Sequence, residues 1–167
     1  LGIGFGVPGP VSNSVVASCA NLGWGLVDVK DEFQKLLQFY TKIVAGNDAN
    51  MAALGELSTG KEYQSAVMIT LGTGVGGGVI IDGMPLDGTN GAAGEISHMR
   101  VPNPYHFKCG CGGTDCLETL TSATGTSRIA KELLKTQKSR LSEYDHPSCK
   151  YIFDLALEGD KMCEQVV

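Results

Sequence analysis

No block of Lys or Arg appears anywhere in the 167 residues, and the formal net charge is −5. Phosphate backbones need clustered positive charge, so nucleic acid is not expected as the main partner. No apolar run approaches the roughly 18 residues of a spanning helix, and no signal-peptide layout opens the chain, so neither membrane nor secretion is expected. No internal repeat is visible, and no GK[ST] is present to close a P-loop. A starting Met is also missing: Leu1 leads directly into LGIGFGVPGP, and EGDKMCEQVV stops inside what reads as a helix. The chain is therefore expected to be a piece of a longer protein, incomplete at both ends.

What is present is enough for a packed core. Hydrophobic residues make up 43% and charged residues 19%, which excludes a disordered chain. The 23 glycines are clustered, as tight loops require. Of six cysteines, three fall between 109 and 116, while Cys19, Cys149 and Cys163 are scattered. A disulfide scaffold would spread its cysteines, so this pattern fits a metal site in a reducing compartment, the cytoplasm.

Residues 1–27 alternate short apolar runs with Gly, Pro and Asn and read as strands and turns. Val29, Phe33, Leu36, Leu37 and Tyr40 have helical spacing, with Asp28 as N-cap. A strand over 42–45 leads to Gly46-Asn47-Asp48, where a second helix begins, with Gly60 as its stop. Strands follow over 66–71 and 79–81, and Asp82-Gly83 is a hairpin signal. Residues 90–113 are loop-rich. Helical patterning resumes at Leu117, again over 128–138, and in two short pieces near 152–157 and 161–167. Strands mixed with helices indicate an α/β class.

Gly4-x-Gly6-x-x-Gly9 and Gly72-x-Gly74-x-x-Gly77 both fit the dinucleotide fingerprint, yet both fail its context. Pro8 and Pro10 interrupt the first, and a strand rather than a helix follows the second. Five glycines between 72 and 78 still call for an explanation. Backbone N–H groups there can cradle a phosphate, aided by the Thr73 hydroxyl, or the segment can be a tight hairpin with a bulge.

Cys109-x-Cys111-x4-Cys116 supplies three thiolates, and zinc takes a fourth ligand in a closed, structural tetrahedron. Two histidines precede the cluster. Spacing favours His106, three residues before Cys109, over His98, eleven before it. Asn47-Asp48 sits where a strand ends and a helix starts. An Asp there can cap the helix, but open α/β sheets also bind ligands at such strand ends. Glu95 and His98 share the segment GEISH, and Glu118 follows the last cysteine of the cluster by two. Together these groups suit a polyol, because carboxylates accept hydroxyl hydrogen bonds; singly, each would be an ordinary solvated group.

These segments carry a resemblance. GVPGPV (6–11), NLGW (21–24), NDANMAALGE (47–56), LGTGVGGGVIIDG (71–83), GAAGEISH (91–98) and CGCGGTDCLET (109–119) resemble the ROK family of bacterial sugar kinases and related repressors. The full NLGW and NDANMAALGE segments point to its glucokinase branch. The resemblance implies an actin-like, hexokinase-like (ribonuclease H-like) fold of two α/β lobes. Residues 1–58 would be the remainder of the N-terminal, sugar-binding lobe, and 59–167 the start of the C-terminal lobe with the zinc loop. It implies phosphorylation of a hexose, glucose first, by ATP with Mg²⁺. Asp48 would be the catalytic base, and Gly9, Asn47, Glu95, His98 and Glu118 would contact the sugar. Thr73, Gly74, Gly76, Gly77 and Gly78 would lie on the ATP phosphates. Zinc would be held by His98, Cys109, Cys111 and Cys116, which moves the fourth ligand away from His106. A homodimer or tetramer is implied for the full-length protein.

Two positions depart from the family pattern. Ser97 replaces the usual Gly of the GEIGH segment, and Asp115 replaces the Gly before the last cysteine, where Asp tolerates a positive φ better than most residues. The family's N-terminal DxGGT and C-terminal GG segments are absent, so residues 1–167 alone are expected to bind ATP poorly and turn over little. A sugar-responsive repressor of the same family and a zinc-stabilised sugar-binding module without chemistry are the alternatives.

Overall fold

The computed structural model describes residues 1–19, 22–60 and 63–167. Asn21 of the NLGW segment lies outside the described residues. The chain packs as two compact units, Leu1–Thr70 with Gly76–Ile96, and Leu71–Val75 with Ser97–Val167.

In the first unit, β1 (Gly2–Val7) and β5 (Lys42–Asn47) pair in parallel, from Gly2 opposite Lys42 to Val7 opposite Asn47. Between them lie three short antiparallel strands, β2 (Val11–Ser12), β3 (Val15–Val16) and β4 (Val27–Asp28). Asn13 and Ser14, both at positive φ, make the tight turn from β2 to β3. Helix α1 (Val29–Leu36) starts as expected, with Asp28 Oδ1 accepting from Asp31 N at 2.9 Å. Val7, Val11, Val16, Cys19 and Val29 form the buried core, and Phe5 meets Phe33 edge-on at 4.7 Å.

Helix α2 (Asp48–Ser58) follows β5 without a loop and ends before Gly60, whose φ of +96° fits the expected stop. A second sheet has β7 (Val75–Ile81) between β6 (Ala66–Leu71) and β8 (Met84–Pro85). Val67 and Ile69 of β6 are exposed. The expected Asp82-Gly83 hairpin is present: Ile81 faces Met84, and both turn residues have positive φ.

The strand expected over 79–81 begins four residues earlier, inside the glycine run. The reason is packing. A Cβ on Gly78 would lie 2.4 Å from the Ala49 carbonyl oxygen, and one on Gly77 would lie 2.3 Å from that of Gly94. These glycines let α2 and the 94–96 segment come up against the backbone of β7.

The second unit holds α3 (Glu118–Thr121), α4 (Ala123–Leu133), α5 (Cys149–Leu157) and α6 (Lys161–Val166). Its core is Ala130, Leu141, Ile152, Leu155, Met162 and Cys163. The helix expected over 128–138 instead starts at Ala123, capped by Ser122 Oγ, which accepts from Gly125 N at 3.0 Å. The small residues Ala123 to Ser127 hide its first turns from a periodicity reading.

Candidate functional site

Within the first unit, β5 delivers Asn47 to the N-terminus of α2. Asn47 Oδ1 accepts from Asn50 N at 3.0 Å, and its Nδ2 donates to the Gly9 carbonyl at 3.1 Å. One side chain therefore caps the helix and joins two of the expected sugar positions. Gly9 has a φ of +133°, and a Cβ there would stand 2.6 Å from the Ser18 carbonyl oxygen, so this segment requires glycine. Asp48, the first helical residue, is exposed and accepts from Ala49 N at 2.9 Å through Oδ1. Glu95 is half-buried, with its N–H donating to Ala92 O at 3.2 Å.

Asn50 is a structural residue that the sequence reading missed. It is buried, donates to Asp87 Oδ1 at 3.1 Å and accepts from Val79 N at 3.1 Å. It thus locks the first turn of α2 to β7 and to the segment beyond β8. The available signal was a polar amide at the inward position of an otherwise apolar helix start. Gly76, Gly77 and Gly78 lie in β7 of this unit, where glycine is explained by close packing; a Cβ on Gly76 would meet Thr70 Oγ1 at 2.5 Å.

The second unit assembles the cysteine cluster. Residues 99–101 run antiparallel to 115–117: Val101 N donates to Asp115 O at 2.7 Å, and Leu117 N to Met99 O at 2.8 Å. This pairing carries His98 to the cysteines across eleven residues of sequence. Within the loop, Gly112 N donates to Cys109 O, and Cys109 N to Gly113 O. Asp115 takes a φ of +61°, so it does occupy the left-handed turn. The ligand atoms of His98, Cys109, Cys111 and Cys116 all lie within 4.8 Å of one another.

Two of the separations suit a tetrahedral metal site. A tetrahedral zinc, with Zn–S about 2.3 Å and Zn–N about 2.0–2.1 Å, separates two sulfurs by about 3.8 Å and a sulfur from a nitrogen by about 3.6 Å. Cys111 Sγ and Cys116 Sγ are 3.7 Å apart, and Cys109 Sγ is 3.6 Å from His98 Nδ1. His106 is exposed and turns instead to Asp115, with Nδ1 at 3.2 Å from Oδ1. Burial pushes the Cys109 thiol up to about 12 and also raises Cys116, while the backbone N–H of Gly113 lowers Cys111. Three crowded sulfurs take up negative charge together only against a cation, which a divalent metal supplies.

Glu118 sits beside this cluster. Its Oε1 is 3.5 Å from Cys109 Sγ, and its Oε2 accepts from Val75 N at 3.2 Å. The turn Gly72–Gly74 is a hairpin turn, closed by Gly72 N donating to Gly74 O at 2.9 Å. Thr73 is in that turn, and its carbonyl accepts from Thr124 Oγ1 at 2.9 Å.

The sequence profile of the ROK family matches residues 1–167. A glucokinase of Halalkalibacterium halodurans is 39% identical over 100% of this chain and 53% of its own length. A xylose repressor of Caldicellulosiruptor bescii is 31% identical over 100% of this chain and 43% of its own length. Among solved structures, a ROK family glucokinase from Streptomyces griseus in complex with glucose and AMPPNP has a TM-score of 0.75 at 30% identity, covering 99% of this chain and 55% of that one. A ROK family transcriptional regulator, a homologue of the E. coli MLC protein, has a TM-score of 0.81 at 25% identity, covering 99% and 42%. The chain spans about half the length of the curated relatives it matches.

Proposed function

The chain belongs to the ROK family and has its α/β, actin-like and hexokinase-like fold, and from that membership we propose that the protein transfers the γ-phosphoryl group of ATP to a hexose, glucose first. The observation that carries this reading is the end of β5. There Asn47 is bonded to Gly9, and the exposed Asp48 carboxylate stands beside it at the start of α2. Asp48 accepts the proton of the attacking sugar hydroxyl as its oxygen approaches the phosphorus in line. In the family reading Gly9, Asn47, Glu95, His98 and Glu118 are the residues that contact the sugar hydroxyls. Most of the rate comes from positioning and from charge neutralisation, to which the nucleotide's Mg²⁺ contributes.

The Gly72–Gly74 turn with Thr73 serves the ATP phosphates. Gly76, Gly77 and Gly78 extend that loop in the family reading, although their packing against Thr70, the 94–96 segment and α2 already explains them. Zinc held by His98, Cys109, Cys111 and Cys116 is structural, because four protein ligands leave no open position. Residues 1–58 complete the sugar-binding lobe, and 59–167 open the C-terminal lobe. The full-length protein is a cytoplasmic homodimer or tetramer. No helix among the described residues is long and apolar enough to cross a membrane.

The test is a coupled kinase assay on the full-length protein with glucose, mannose and N-acetylglucosamine. Asp48→Asn should lower kcat by about 10²–10⁴-fold while glucose still binds in titration calorimetry. Retained turnover would remove Asp48 from the base role. The similarity to a xylose repressor supports a second reading, a sugar-responsive regulator. Sugar-dependent DNA binding without phosphorylation would favour it; the exposed Asp48 and the glycine turn favour the kinase.

A further inference from the structure

Asn50 does more than tie two elements together, because the segment it reaches ends at Glu95. Its backbone N–H donates to Asn47 Oδ1 at 3.0 Å, and Asn47 Nδ2 donates to the Gly9 carbonyl at 3.1 Å. Its buried side chain accepts from Val79 N at 3.1 Å and donates to Asp87 Oδ1 at 3.1 Å. Asp87 opens the segment that leads to Glu95. That segment is folded on itself: Gly91 N donates to Gly88 O at 3.4 Å, Ala93 N to Asp87 O at 3.1 Å and Glu95 N to Ala92 O at 3.2 Å. Glycines seat it on its neighbours. Gly91, at a φ of +72°, comes so close to β2 that a Cβ would stand 2.6 Å from Val11 O, and a Cβ on Gly94 would stand 2.5 Å from Gly77 O. These glycines permit the approach but bring no side chain to hold it. The directional tie is the bond from Asn50 to Asp87. Three expected sugar positions, Gly9, Asn47 and Glu95, are thus joined through one buried amide within one compact unit.

We propose that Asn50 and Asp87 are positioning residues for the sugar site, a clasp that holds the segment from Asp87 to Glu95 at a fixed reach from the start of α2. The amide has one workable orientation. With Oδ1 accepting from Val79 N–H, Nδ2 faces Asp87; a flip would set donor against donor at Val79 and oxygen against carboxylate at Asp87. The position therefore needs an amide. Asp would keep the Val79 bond but set one carboxylate against another, and an apolar side chain would leave the Val79 N–H unpaired. This inference rests on the sugar-site reading proposed above, with Glu95 as a sugar contact and Asp48 as the base. Asp48 stands on the α2 side of the clasp and Glu95 on the far side. Loosening the clasp from Asp87 should therefore weaken sugar binding while the base keeps its place.

Steady-state kinetics on the full-length protein test this. Asp87→Ala should raise the KM for glucose about tenfold, with kcat and the KM for ATP held within about twofold. A residue that served stability alone would lower the melting temperature and leave the glucose KM where it was. Asn50→Asp, assayed at about pH 8 so that both carboxylates are ionised, should show the same rise in KM. Asn50→Asp/Asp87→Asn, which reverses donor and acceptor, should recover the wild-type KM to within about threefold. An unchanged KM in Asp87→Ala would overturn the clasp, as would a double variant no better than Asn50→Asp. If Asp87→Ala does not fold, the reversed pair decides. Hydrogen exchange without sugar or nucleotide separates the clasp from the kinase reading. The peptide spanning residues 88–95 should exchange about tenfold faster in Asn50→Asp and slow again in the reversed pair, while α1 and α5 stay constant. That pattern in a protein that phosphorylates no hexose would keep the clasp and remove the kinase. Hexose turnover by the wild type with unmoved exchange in Asn50→Asp would do the reverse.

Discussion

Asp115 carries a φ of +61°, a conformation that costs a residue with a side chain roughly 1–2 kcal/mol. Asn103 Nδ2 donates to its Oδ1 at 3.1 Å, and His106 Nδ1 is 3.2 Å away, with the imidazole mostly exposed. One hydrogen bond contributes about 0.5–1.5 kcal/mol and an exposed pair about 0–1, so the side chain roughly offsets its own strain. This is how the loop keeps its turn without a glycine. The glycines of β7 are a stronger constraint. Gly78→Ala would set a Cβ 2.4 Å from a backbone oxygen of α2, and the backbone cannot yield as a flexible side chain would. The expected loss is about 1–3 kcal/mol, read as a lower urea midpoint. Gly4→Ala is the control: nothing lies within 4 Å of a Cβ there, and the change should stay within about 0.5 kcal/mol.

At the scale of the element, α6 depends on a single side chain. Asp160 Oδ1 accepts from Met162 N and Cys163 N, both at 3.1 Å, and Oδ2 accepts from Arg140 N and Ser139 Oγ, both at 2.9 Å. Burial by itself would raise the Asp160 carboxyl, but these hydrogen bonds outweigh it and lower it below the ordinary value. A lowered folded-state pKa means the stabilisation is fully present above the unfolded value near about 3.9, and is lost as pH falls through the folded value. Asp160→Ala should therefore cost about 1–2 kcal/mol at neutral pH, with the difference from wild type shrinking in acid. Thermal melts at pH 7 and below pH 3 check both parts. Elements fixed by local chemistry were legible in the sequence: Asp28 as a cap, Asp82-Gly83 as a turn, Gly60 as a stop. The starts of β7 and α4 were not. Their glycines and small residues are chosen by what packs against them, and periodicity does not record that.

For the whole molecule, the metal ligand set is the sharpest case of what sequence spacing misses. Proximity along the chain pointed to His106, whereas pairing of 99–101 with 115–117 brings His98 to the cluster. The family resemblance named His98 because it carries three-dimensional information that spacing lacks. Metal analysis of the full-length protein should find about one zinc per chain, lost in His98→Ala and kept in His106→Ala. Loss in both, or in neither, would contradict the ligand set. Asn50 and its bonds to Asp87 and Val79 were hidden for a similar reason, since both partners lie far along the chain.

The outward face of β6 has a practical consequence for anyone who handles this polypeptide. Val67 is 66% and Ile69 58% accessible, and β6 is the last strand of its sheet among the described residues, so apolar side chains and a sheet edge coincide. Such a surface is sticky. A preparation of residues 1–167 by themselves should scatter light increasingly as it is concentrated. Ile69→Lys should raise the concentration at which turbidity begins without altering the melting temperature by more than about 2–4 °C. Unaltered turbidity in that variant would clear β6 of responsibility for the losses.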